Sequence, residues 1–206
     1  MDSIIFDVDG TLWDATPVVA DAWRDLIHRE YDPDMEMNDT VLKGQFGKLL
    51  PDIARALFPK ATPERQSELL DMCIEVEHKA LLATPPEPYP ELEKVLQLLS
   101  PKYKLYIVSN CQAGYIEVFL KATGLGAYFE DHLCPGDTGN PKASNISEIV
   151  RKHNLQAAVY VGDTLGDYTA TKEAGLPFVF ADYGFGSVEE PDYTISKLMD
   201  LTTLFD

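Results

Sequence analysis

Basic residues are scarce in this 206-residue chain: 17 Lys and Arg stand against 34 Asp and Glu, a formal net charge of -17. A chain so acidic repels phosphate backbones and anionic headgroups, so nucleic acid and membrane surfaces are excluded as partners and small molecules or metal ions are expected. Cysteine is scarcer still. Cys73, Cys111 and Cys134 are odd in number, widely spaced and without a Cys-x-x-Cys pair. That excludes both a disulfide framework and a zinc site, and a reducing cytoplasm is the expected compartment. The histidines, His28, His78, His132 and His153, lack the paired spacing of a metal site. No apolar run reaches the ~18 residues of a membrane span. Asp2 and Asp7 stand where an export signal has a basic region and an apolar core, so the protein is expected to be soluble and unexported. Internal repeats and low-complexity segments are also missing.

What the chain does have is a change of hydrophobic period that marks its organisation. Ser3-Ile4-Ile5-Phe6 reads as a buried strand. Beyond it Val19, Ala22, Trp23, Leu26 and Ile27 recur at helical spacing, with Thr16 as N-cap and Pro17 at the first helical position. A second helix is expected over Leu49 to Leu57. A third opens at Thr62-Pro63 and carries Leu69, Met72, Cys73, Val76 and Ala80 on one face. Residues 15 to 83 are therefore expected to be all helical. The run Thr84-Pro85-Pro86-Glu87-Pro88-Tyr89-Pro90 stops the third helix and reads as a stiff linker, because proline cannot continue a helix and restricts its predecessor.

From Glu91 on, helices and strands alternate, the pattern of βα units on a parallel sheet. Helices are expected at 91–100, 112–123, 144–153 and 165–174, the second closed by Gly124. Strands are expected at Leu105 to Val108, near His132 to Cys134, at Ala158 to Val161 and at Phe178 to Phe180. The fold class is α/β: a Rossmann-like parallel sheet core from residues 1–14 and 84–206, with an α-helical domain, 15–83, inserted after the first strand.

Several strand ends carry polar groups. The first runs into Asp7-Val8-Asp9-Gly10-Thr11, a later one into Ser109-Asn110, and another into Gly162-Asp163-Thr164-Leu165-Gly166-Asp167. In a parallel α/β sheet these fall on one carboxyl edge, where such proteins place ligands. Lys142, in the turn before the 144–153 helix, is a cation placed to reach the same edge. Taken singly, each has a plainer reading: a turn signal for Asp-x-Asp, a helix cap for Ser109, a capping box for Thr164 with Asp167, a solvated loop lysine for Lys142. Their joint occurrence on separate strand and turn ends is what points to chemistry. Lys43-Gly44-Gln45-Phe46-Gly47-Lys48 reads either as a flexible loop offering lysines to an anionic substrate or as a plain interhelical loop. Tyr183-Gly184-Phe185-Gly186 lies at the active edge and reads more readily as a structural turn.

Taken together, Asp7-Val8-Asp9-Gly10-Thr11, Ser109, Lys142 and Gly162-Asp163-x-x-x-Asp167 resemble the four motifs of the haloacid dehalogenase superfamily, in order and in spacing. The helical insertion is similar to the small cap of the phosphoglycolate phosphatase and β-phosphoglucomutase branch. Many members of that branch carry prolines after the motif lysine, where Ala143-Ser144-Asn145 stand here; Asn140-Pro141 offers another way to fix the turn. The resemblance implies a Mg2+-dependent phosphatase acting on a small phosphorylated metabolite such as phosphoglycolate, a sugar phosphate or a nucleotide. It implies Asp7 as nucleophile forming an aspartyl-phosphate and Asp9 as general acid and base. Magnesium falls to Asp7, the Asp9 carbonyl and Asp163, with Asp167 behind them orienting a water or the lysine. Ser109, Asn110, Lys142 and, from the cap, Lys48 would bind substrate. The Asp9 carboxylate speaks against dehalogenation, because a halide needs no proton. A phosphomutase shares every catalytic residue and stays open as the alternative, with a non-catalytic magnesium- and phosphate-binding homologue behind it.

Overall fold

The computed structural model describes residues 1–205, which divide into two compact units, Met1–Asp14 with Glu87–Asp206 and Ala15–Pro86. The division falls inside the proline-rich run. The inserted unit is built of α1 (Thr16–Glu30), α2 (Asp39–Lys43), α3 (Leu50–Leu57) and α4 (Pro63–Ala83). Helix α1 packs mainly on α4, burying Val19, Ala20, Trp23, Leu26 and Ile27. Thr16 is the first helical residue and not the cap; Ala15 takes that place without a side-chain bond. At α4 the expected cap does form, Thr62 accepting from the Arg65 amide. The buried stripe of α4 is Leu69, Leu70, Cys73, Glu77 and Leu81. It therefore lies to one side of the expected Met72, Val76 and Ala80, and an acid replaces one of the apolar positions.

The other unit holds a six-stranded, wholly parallel sheet: β1 (Ser3–Phe6), β2 (Lys104–Val108), β3 (Phe129–Leu133), β4 (Ala158–Gly162), β5 (Phe178–Ala181) and β6 (Tyr193–Ile195), in spatial order β3-β2-β1-β4-β5-β6. Its helices are α5 (Leu92–Leu99), α6 (Tyr115–Thr123), α7 (Pro135–Thr138), α8 (Lys142–Lys152), α9 (Leu165–Glu173) and α10 (Leu201–Leu204). Strands covered on both faces need unbroken apolar runs, and every residue of β1, β4 and β5 is buried. One face seats Ile5, Tyr106, Tyr160 and Phe178 against Ile146 and Ile149 of α8. Gly124 ends α6 in the left-handed region, φ 72, as its position past the periodic residues predicts.

Three expectations need correction. The third strand begins at Phe129 and ends at Leu133, so Cys134 caps α7 instead of closing the strand. Helix α8 starts at Lys142, which is therefore a first-turn residue and not part of a preceding turn. Helix α2 and strand β6 are additional elements, each too short for a periodic signal. No described helix is long and apolar enough to cross a membrane.

The topology decides where ligands go. From β1 the chain steps outward through β2 and β3, then returns to the other side of β1 at β4. That reversal opens a crevice at the carboxyl ends of β1 and β4.

Candidate active site

Asp7 follows β1 at this crevice, its amide bonded to the Val161 carbonyl at 2.9 Å. Phe6 is in register with both Ile107 and Val161, so Ser109 and Asp163, each two residues further along, end level with one another beside it. All three side chains are buried. Lys142 reaches them from α8: its Nζ donates to Asp7 Oδ1 at 2.6 Å and also to Asp167 Oδ1. Pro141 supplies the extended N-cap backbone that aims it. Buried Asn145 then ties the turn, its Nδ2 donating to the Asn140 carbonyl at 3.3 Å and its Oδ1 accepting from Thr138 at 2.8 Å. A hydrogen-bonded asparagine in the first turn of α8 thus fixes the turn that leads into Lys142.

Asp167 performs two roles through its two oxygens. Oδ2 accepts from the Thr164 amide at 2.9 Å, the Thr164 hydroxyl at 2.6 Å and the Asp163 amide at 3.2 Å, a complete capping box, while Oδ1 holds Lys142. The residue is both a helix cap and the partner of Lys142. Asp163 is different. Its Oδ2 accepts from the Phe185 amide at 2.7 Å, and its buried Oδ1 has no hydrogen-bond partner among the described residues.

Burial pushes the Asp163 carboxyl up to about 9, with the Asp167 and Asp7 charges adding to it. Burial likewise raises Asp7, to about 6, against the opposing pull of Lys142. A Ser109 hydroxyl bond favours its ionised form. Lys142 stays charged: burial disfavours the ammonium, but Asp167 and Asp7 outweigh that and hold it well above the usual lysine range. One cation among three carboxylates leaves the cluster net negative. Oxygens of Asp7, Asp163 and Asp167 all lie within 4.8 Å of one another. An orphaned carboxylate oxygen in a group of hard oxygen donors fits a divalent cation such as magnesium or calcium. Since Asp167 has both oxygens engaged, Asp7 and Asp163 are the better placed ligands.

Asp9 is held by a different pair of side chains. Its Oδ1 accepts from Tyr115 Oη at 2.6 Å and from Trp13 Nε1 at 3.1 Å. Asn110 follows Ser109, half-buried. Lys48 lies exposed on the helical unit, its Nζ 3.3 Å from Gln45 Oε1.

Gly10 and the Tyr183-Gly184-Phe185-Gly186 turn, both visible in the sequence, support this cluster more closely than a reading as turns suggests. Gly10, at φ 80, leaves room where a Cβ would lie 2.1 Å from Asp163 Oδ2, and a Cβ on Gly184 would lie 2.3 Å from the Asp163 Cβ. Two backbones thus close on one carboxylate, and Tyr183-Gly184-Phe185-Gly186 is part of its cradle. Tyr183 fastens that loop by donating to the Thr11 carbonyl at 2.9 Å. Tyr160 Oη, 2.6 Å from the Val108 carbonyl, lies 3.5 Å from Asp7 Oδ1.

A family model described as haloacid dehalogenase-like hydrolase matches residues 4–181. A phosphoglycolate phosphatase from Aquifex aeolicus is 32% identical, over 98% of this chain and 96% of its own length. A pyrophosphatase from Bacillus velezensis is 27% identical, over 97% and 94%. Among solved structures, a haloacid dehalogenase-like family hydrolase from Streptococcus pneumoniae aligns with a TM-score of 0.86 at 21% identity, covering 100% of this chain and 99% of that one. At that identity the likeness speaks for the fold.

Proposed function

The chain belongs to the haloacid dehalogenase-like hydrolases, and from that premise we propose that it is a magnesium-dependent phosphatase of small phosphomonoesters, phosphoglycolate first among them, working through an aspartyl-phosphate on Asp7. The observation that carries this reading is the buried Asp7 carboxylate held by Lys142 and Ser109 beside the unpartnered oxygen of Asp163. An anionic nucleophile meets a phosphate ester only where fixed cations and donors offset the repulsion. The phosphoglycolate phosphatase relative, alike over nearly its whole length, supports the choice of substrate.

In the first half-reaction an Asp7 oxygen bonds to phosphorus as the ester P–O bond breaks, and Asp9 gives its proton to the departing oxygen, which leaves as an alcohol. In the second, water attacks the same phosphorus and the bond to Asp7 breaks. The water's proton passes to Asp9 and inorganic phosphate departs. Lys142 and Ser109 hold transferring phosphoryl oxygens, and Asp167 keeps Lys142 aimed. Magnesium held by Asp7, Asp163 and the Asp9 carbonyl would neutralise charge that builds on the phosphoryl group.

Phosphate release from phosphoglycolate, sugar phosphates, nucleotides and pyrophosphate, with magnesium and with chelator, tests the reading. The expected result is metal-dependent release, greatest for phosphoglycolate and absent in Asp7→Asn. Release that persists in chelator or in the variant overturns it.

A further inference from the structure

Resting on the reading of Asp9 as the group that moves the proton, we propose that Tyr115 and Trp13 are positioning residues that set the Asp9 carboxyl group for transfer to the leaving oxygen. The argument is geometric. Tyr115 opens α6 directly after Gly114, which takes a left-handed φ of 84. Trp13 lies four residues past Asp9 in a bridge with it, and its carbonyl accepts from the Gly10 amide at 2.9 Å. Both side chains are buried, Tyr115 at 2% and Trp13 at 0% exposure. Their rings pack edge to face, centroids 6.2 Å apart, and Trp13 makes a second such contact with Phe119 at 5.0 Å.

These rings cannot swing without disturbing the core, so their polar ends are fixed points. Both ends meet on one atom, Asp9 Oδ1, at 2.6 Å and 3.1 Å. A carboxyl group turns about χ2 in a broad, roughly two-fold well, and two rigid donors on one oxygen select a single orientation. General acid catalysis depends on such placement, because the proton must meet the leaving oxygen within hydrogen-bond reach. Phenylalanine at 115 would keep the ring and its packing and lose only the hydroxyl, so the hydroxyl is the feature that the site uses; at 13 it would lose the indole N–H together with part of a fully buried ring.

The test is single-turnover release of the leaving group from two substrates. Phosphoglycolate has an alkoxide leaving group that needs a proton; 4-nitrophenyl phosphate has a phenolate that leaves without one. Asp9→Asn sets the reference and should slow phosphoglycolate by ~10²-fold or more while slowing the nitrophenyl ester far less. Tyr115→Phe is expected to show the same selective loss at smaller size, roughly tenfold, and Trp13→Phe a weaker one, with thermal unfolding of Tyr115→Phe near wild type. If Asp9→Asn is selective but Tyr115→Phe slows both substrates alike, or neither, the positioning role is overturned and Asp9 keeps its own. If Asp9→Asn slows both substrates equally, the reading of Asp9 fails and the inference with it. Should Tyr115→Phe prove unstable, the selectivity of Trp13→Phe decides alone.

Discussion

At the scale of single residues the site is a problem in charge. Asp7, Asp163 and Asp167 are buried with one ammonium among them. Asp7→Asn removes a repelling charge while nearly keeping shape. The variant should lose phosphate release by at least ~10³-fold, as loss of a nucleophile does, yet unfold in chelator no more easily than wild type. Steady-state assay and urea denaturation check the two halves. Lys142→Ala is the opposite case, because it leaves Asp7 and Asp167 buried without their cation. Breaking a buried pair from one side costs about 3–5 kcal/mol, and a lower urea midpoint at neutral pH is the expected measurement. These residues were legible as types because unbroken apolar runs end in them. The pairing of Tyr115 with Asp9 was not, since nothing in local pattern links groups 106 residues apart.

At the scale of elements, β1 and β4 present the acids and their following turns hold them. The long apolar strands were readable, as were the caps at Thr62 and Thr164, since both rest on period and on cap chemistry. Helix α8 begins two residues before its apolar period suggests, because two of the three buried residues of its first turn, Lys142 and Asn145, are polar. The stripe of α4 departs from its apolar period because Glu77 is buried within it, which no hydrophobic pattern announces. The part played by the loop after β5 is hard to read in sequence, since close backbone approach leaves no trace except glycine. Gly184→Ala would drive a methyl group to 2.5 Å from Asp163 Oδ2. Divalent-cation affinity should weaken by roughly 10–100-fold, the usual cost of disturbing a ligand's support. Calorimetric titration with magnesium measures it, and unchanged affinity would remove the loop from the site.

At the scale of the whole molecule, the raised carboxyls link stability to pH. Asp7 and Asp163 have an ordinary value of 3.8 and are pushed up to about 6 and about 9 in the fold. Between those limits the folded, metal-free protein holds protons that the unfolded chain has released. Their contribution is therefore fully present below 3.8 and is lost as pH rises through about 6 and then about 9. Magnesium should reverse the trend, because its ligands must be ionised and it binds the folded state. In chelator, the melting temperature should fall as pH rises from about 6 to about 9; with magnesium the fall should shrink, so that the gap between the two curves widens. A constant gap across that window would detach the acidic cluster from the metal. The most direct measurement is chemical: acid-quench the protein during turnover of a radiolabelled phosphomonoester with magnesium, then map the label. The account predicts a hydroxylamine-labile phosphoryl group on the peptide that carries Asp7. Complete hydrolysis with no labelled peptide, or with label on another residue, would contradict it.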